Sequence, residues 1–308
     1  MAIQNRGQFG ALYDNVDKAI EALIGKQVKE IPTIYTKLFQ KMESSKKFER
    51  ITTSAPFGDV PEKPEGNPYQ FDIIQQGYTK DITPLEFGLG FEWTETAEED
   101  DQYDELKKKS KYLTFSMRQV EEKQAATVFN NGFSTQLTAD GLSLFNTAHT
   151  LKRGGTAKNR PSTDADLSIA SLTTAFTDLA TETKIESGQL GMPPSEYLLV
   201  VHPANEMNAH RIVKSSGLPG SADNDINPVK ASRTLTVVVN PFLTDTDAWY
   251  LVPASSERHG LVYLQRIPIT LAPMMVDART GNKLVKLRAR KCWDSVHWQN
   301  CYGTNGAA

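Results

Sequence analysis

The chain has 308 residues, of which 39% are hydrophobic and 23% charged, and a formal net charge of −3. At ~150 residues per domain this length predicts about two domains, with the composition of an ordinary soluble globular protein. No run of about 18 apolar residues occurs, which excludes a transmembrane helix, and the near-neutral charge argues against a dedicated nucleic-acid binder.

Met1–Ile20 has no apolar stretch behind a basic flank, so no secretory signal is read there and a cytoplasmic protein is expected. Leu12, Val16, Ile20 and Leu23–Ile24 recur at helical spacing, and a second helical stretch carries Ile34, Leu38 and Met42 beside Tyr35 and Phe39. Gly25 and Pro32 separate the two. They form either a helix pair packed on their own domain or an arm that packs on a neighbour. From Phe48 the pattern turns to strands, at Phe48–Thr53, Gln70–Tyr78 and Leu85–Trp93. The last places Phe87, Leu89, Phe91 and Trp93 in strict alternation. Between the first two lies Gly58–Tyr69, with three prolines, two glycines and four charges, which reads as a loop. Isolated hairpins are marginal in water, so this segment needs a partner surface.

A long helix is predicted over about 97–131. Thr94 or Thr96 can cap it, Glu98–Asp101 complement its dipole, and Leu106, Leu113, Met117 and Val120 form its stripe. It would span about 50 Å. Without further heptads it reads as one helix laid along a domain rather than a coiled coil. Asp140–Gly155 is turn-rich. Ser168 caps a helix carrying Leu172, Phe176 and Leu179. Glu196–Val201 is a buried strand ended by His202-Pro203, a helix restarts over Ala204–Val213, and Lys214–Ala231 reads as an exposed loop. Strands follow at Thr234–Val239 and Ala248–Val252, so Leu167–Leu264 behaves as a compact block of helices and strands. Leu284–Trp298 is a candidate strand with Val285, Leu287, Ala289 and Trp293 on one face and Lys286, Arg288 and Arg290 on the other. Gly303–Ala308 reads as a frayed tail.

No phosphate-binding glycine loop, nucleophile elbow or His-Glu-x-x-His occurs. His202 and His210 lack a third ligand, and two cysteines, Cys292 and Cys301, cannot build a thiolate zinc site and read as free thiols. Glu98–Asp101 fits a helix start better than a cation site, and Lys107–Lys111 fits a solvated face better than a phosphate site. The row Lys286, Arg288, Arg290 faces either nucleic acid or acids on another subunit. Nothing assembles an acid, a base and a nucleophile, so no enzyme, cofactor or metal is read.

Four stretches in order resemble a known family. They are Glu65-Gly66-Asn67-Pro68 with Gln76-Gly77-Tyr78 and Phe87-Gly88-Leu89-Gly90-Phe91; Thr94-Glu95-Thr96 with Glu99-Asp100-Asp101; Gly141–His149; and Leu198–Pro203 before a helix. With Trp298–Tyr302 they span about 46–302. The chain resembles the major capsid proteins of tailed bacteriophages, with the Hong Kong 97-like fold, and most closely the Mu-like major head subunits. The resemblance implies an α+β subunit with an N-terminal arm (about 1–45), an extended loop (46–84), a peripheral domain in two parts (85–166, with the spine helix, and 265–308), and an axial domain (167–264). It implies hexamers and pentamers of the chain itself, forming an icosahedral head that encloses double-stranded DNA without reading its sequence. Scaffolding, portal and decoration proteins are the further partners, no membrane is involved, and assembly takes place in the bacterial cytoplasm. Glu65, Gly66, Asn67 and Pro68 in the loop and Lys286, Arg288 and Arg290 are the candidate intersubunit residues. Lys63, Lys80 and Asn300 are of the types that some members cross-link, but no motif singles them out. The rival readings are an encapsulin-type compartment and a soluble enzyme with an unrecognised site.

Overall fold

The structure, a computed structural model, describes residues 22–94, 103–217, 226–272, 275–277 and 279–307. Residues 22–30 are helical, followed by a single turn, Tyr35–Leu38, and strand β1, Gln40–Glu43. Strands β2 (Glu49–Ala55) and β3 (Gln75–Ile82) form an antiparallel hairpin. The linking residues 56–74 contain neither strand nor helix. Then come β4 (Leu85–Trp93), the long helix Tyr103–Asn130, and a small ribbon of β5 (His149–Thr150) and β6 (Thr156–Ala157). Helix Ile169–Thr181, β7 (Glu196–Val201), helix Glu206–Lys214, the short helix Pro228–Ser232, β8 (Thr234–Val239) and β9 (Trp249–Pro253) follow. The chain closes with β10 (Leu261–Leu271), β11 (Met275–Val276), β12 (Lys283–Ser295) and β13 (Tyr302–Thr304).

β12 is the middle of a five-stranded sheet. Along one edge its residues 283–291 pair with β4; along the other, 287–295 pair with β10 and 283–284 with β11. β1 continues the sheet, parallel to β10. The alternation predicted for β12 is observed: Val285, Leu287 and Ala289 are buried while Lys286 and Arg288 face solvent. The buried row lies under Leu113 and Met117 of the long helix, with Ile24 and Trp93 closing the cluster. The helix thus covers one face of the sheet; the other is open at Lys286 and Arg288, while toward Cys292 it is covered by Ile51 and Ile82 of the β2–β3 hairpin.

The second sheet runs β13-β9-β7-β8, with β7 and β8 parallel. β7 reads as a continuous apolar run because both of its faces are covered. Tyr197, Leu199 and Val201 pack with Leu172, Phe176, Leu179, Ala209 and Ile212 of two helices. Leu198 and Val200 face a cluster that also holds Phe129 from the end of the long helix, Tyr263 and Trp293 from the first sheet, and Phe145 and Trp298. Helix Ile169–Thr181 starts at Ser168 as predicted, with Ser168 and Ser171 in a reciprocal capping box.

Several expectations are corrected. The stretch carrying Ile34, Leu38 and Met42 is helical only over Tyr35–Leu38. Phe39 is extended, and Met42 sits in β1 opposite Leu264, because pairing with β10 captures it. β3 starts at Gln75 rather than Gln70, since residues 70–74 belong to the loop. β12 ends at Ser295, and Trp298 lies beyond it in the shared core. Part of the predicted loop Lys214–Ala231 is helix Pro228–Ser232, capped by buried Asn227, whose side chain accepts from the Val229 N–H. The tail is not frayed at 303–304, because β13 pairs with β9 and Thr304 is fully buried. Leu12, Val16, Ile20, Thr96 and Glu98–Asp101 lie outside the described residues.

Candidate assembly surfaces

The loop 56–74 reaches out from the β2–β3 hairpin. Its tip is a turn in which the Asn67 N–H donates to the Pro64 carbonyl at 3.2 Å. Gly66, at the third position, has φ 84°, as a type II turn requires. Glu65, Gly66, Asn67 and Pro68 are therefore brought together at one exposed turn. Around them the loop leaves large apolar side chains in water: Val60 is 94% and Phe71 96% exposed, and Tyr69, Ile73 and Ile74 are exposed too. Within the loop Lys63 sits 4.7 Å over the Tyr69 ring.

The neck of the loop is tied to the body of its own subunit. Asp72 accepts hydrogen bonds from the Gly58 N–H (2.8 Å), Arg153 Nη1 (2.8 Å) and the Ile73 N–H (2.8 Å). These bonds, the Gly58 amide foremost, hold the Asp72 carboxyl down at about 2. Asp59 accepts from Gln189 Nε2 at 2.8 Å. None of these neck residues stands out in the sequence, because their partners lie some 80 and 130 residues away.

The second surface is the open face of β4 and β12, a shallow cleft of about 720 Å³. Register brings Lys286 opposite Gly90, Arg288 opposite Gly88 and Arg290 opposite Glu86. Lys286 and Arg288 thus stand opposite glycines, which put no side chain beside them. Gly90 is required for a further reason: a Cβ there would lie 2.6 Å from the Val285 carbonyl oxygen. Arg290 is half-buried and 3.8 Å from Glu86. Lys286 and Arg288 are exposed, and their side chains have no hydrogen bond or ion pair among the described residues. The alternation Phe87-Gly88-Leu89-Gly90-Phe91 carried the signal for this cleft, but reading it only as a strand missed the groove.

The other singled-out residues have structural surroundings. Lys80 donates to Asp294 and to the Leu137 and Ser295 carbonyls, which fixes the hairpin to the body. Asn300 adopts φ 63° and donates to the Arg258 carbonyl. His202 accepts from the Ala204 N–H, and His210 lies 3.9 Å from Glu206. Cys292 and Cys301 are free thiols, raised to about 11 and about 12 by burial. Among the described residues no group of His, Cys, Asp or Glu has the arrangement of a metal site, and no helix is long and apolar enough to cross a membrane.

A family model described as phage capsid protein matches residues 77–291. No curated protein sequence matches the chain. Among solved structures it is similar to the capsid of cyanophage P-SCSP1u, at 10% identity and TM-score 0.62, covering 90% of this chain and 88% of that one. It is also similar to the capsid of a native GTA particle, at 11% identity and TM-score 0.56, covering 90% and 92%. A virus-like particle from Pyrococcus furiosus aligns at 9% identity and TM-score 0.51, covering 93% and 98%. At such identities the likeness is one of fold, and that fold is the α+β Hong Kong 97-like capsid fold. Because the family match takes in more than half of its sequence, the chain belongs to the phage capsid protein family, as a structural subunit of a self-assembling shell.

Proposed function

We propose that this major capsid protein closes as hexamers and pentamers into an icosahedral head around double-stranded DNA, and that the loop of one copy lies on the open β4–β12 face of the next. One observation carries the reading: an exposed apolar loop and an open cleft bearing two side chains without partners among the described residues occur on the same chain. The loop exposes Val60, Tyr69, Phe71, Ile73 and Ile74 and places Asp59, Glu62 and Glu65 at every third position. The cleft exposes Lys286 and Arg288 beside two glycines. Exchange of such surfaces between identical subunits generates closed symmetric assemblies. In this reading residues 1–45 are an arm, 46–84 the extended loop, 85–166 and 265–308 the peripheral domain, and 167–264 the axial domain at the capsomer centre. Scaffolding, portal and decoration proteins complete the particle, which forms in the bacterial cytoplasm.

Electron microscopy of particles purified from lysed host cells, with analysis of their contents, tests this. Icosahedral shells holding double-stranded DNA are expected. Shells holding protein and no nucleic acid would replace the head with a protein-storing compartment. A stable 34.2 kDa monomer under every assembly condition would sink the reading.

A further inference from the structure

We infer that Arg153 is a positioning residue for assembly, clamping both legs of the extended loop to its own subunit and so setting the direction in which the loop leaves it. The inference rests on the proposal that the loop contacts a neighbouring copy. The guanidinium grips two points on the returning leg, the Asp72 carboxylate at 2.8 Å and the Ile73 carbonyl at 2.5 Å. The same carboxylate oxygen takes the Gly58 N–H of the outgoing leg at 2.8 Å. A rigid fork suits such a two-point grip where an ammonium does not. Its footing is fixed: the Arg153 N–H donates to the Glu186 carbonyl at 3.3 Å, and the buried Glu186 carboxylate takes the Lys152 N–H and Gln299 Nε2. Beyond the clamp, the Asp59–Gln189 bond is the only hydrogen bond or ion pair among the described residues that ties residues 59–71 to the body. An isolated surface ion pair contributes little, but this one is forked, reaches a backbone carbonyl and closes the neck.

The test compares the full-length unassembled chain with Arg153→Ala, Arg153→Lys and Asp72→Asn proteins by hydrogen exchange and by shell yield. In Arg153→Ala the Gly58 and Ile73 amides, which donate to Asp72 at the clamp, should exchange about tenfold faster while the sheets stay unchanged, and shells should be fewer and misshapen. Arg153→Lys, which keeps the charge but not the fork, should loosen the loop to an intermediate degree. Asp72→Asn reports on the same clamp should the arginine variant fold poorly. Unchanged loop exchange in both Arg153→Ala and Asp72→Asn overturns the clamp. Faster exchange with normal shells overturns its role in assembly. If removal of residues 56–67 still blocks assembly, the loop keeps its intersubunit role and only this inference falls.

Discussion

Lys291 has the parity of the apolar row of β12, and nothing near it in sequence explains a lysine there. Its side chain is 3% exposed and its ammonium meets Glu121, 1% exposed, on the long helix. Arg118 donates to the same carboxylate at 2.7 Å and Tyr35 at 3.2 Å, while Glu122 takes the Ile34 and Tyr35 N–H groups. Burial lowers the Lys291 ammonium and raises the Glu122 carboxyl from their ordinary values. Removing one member of such a buried set strands the others, so Lys291→Met should cost about 3 kcal/mol, read as a lower urea midpoint. His259 supplies a pH dependence. It is 2% exposed, and burial, with His297 beside it, pushes its imidazole down to about 4. An unfolded histidine titrates near 6.5. Between those values the unfolded chain takes up a proton that the folded one refuses, so stability falls as pH drops from about 6.5 to 4. The loss reaches about 3 kcal/mol and is absent above that window. A His259→Gln protein should show a shallower fall in urea midpoint across the same range; an identical fall would remove His259 as the cause.

The long helix is the element most legible in the sequence, because its stripe repeats over many turns. Leu113 and Met117 meet Val285, Leu287 and Ala289, and Leu113→Asp or Met117→Asp would place a carboxylate against that row without a partner. Such a charge costs more than a small stability margin can absorb, so neither variant should yield folded soluble protein. A normally assembling variant would show that the stripe faces elsewhere. β4, β7, β8 and the alternation of β12 were equally readable, since each has a strict period or a continuous apolar run. β1 was not, because its four residues acquire strand geometry only from β10, some 220 residues downstream. β13 was hidden for the same reason, its partner being β9. The cleft was half legible: Lys286, Arg288 and Arg290 declare a basic face, but only the register with β4 shows that Gly88 and Gly90 stand opposite them.

At the scale of the whole molecule the proposed contact has two halves, the exposed loop and the open sheet face, and each can be removed separately. Charge reversal by Lys286→Glu with Arg288→Glu changes side chains that face solvent without partners. It should leave the subunit's stability within about 0.5 kcal/mol, yet raise the concentration needed for assembly by about tenfold, with a difference that shrinks in high salt. If the row instead faced packaged nucleic acid, shells would form normally and only their DNA content would fall. Deleting Pro56–Asn67 tests the other half. Among the described residues their only hydrogen bonds outside the deleted stretch are from the Gly58 N–H to Asp72 and from Gln189 Nε2 to Asp59, and the large apolar side chains among them, Phe57 and Val60, are exposed. The shortened hairpin keeps Lys80 anchored at Asp294. The subunit should therefore melt within about 1 kcal/mol of the intact chain, while losing a contact repeated at every subunit of a shell, where small losses multiply. Light scattering at matched concentration should show few or unstable shells. Shells of unchanged stability would mean that the exposed apolar residues of the loop face solvent in the particle as they do in the subunit, and that the β4–β12 face binds something other than the loop.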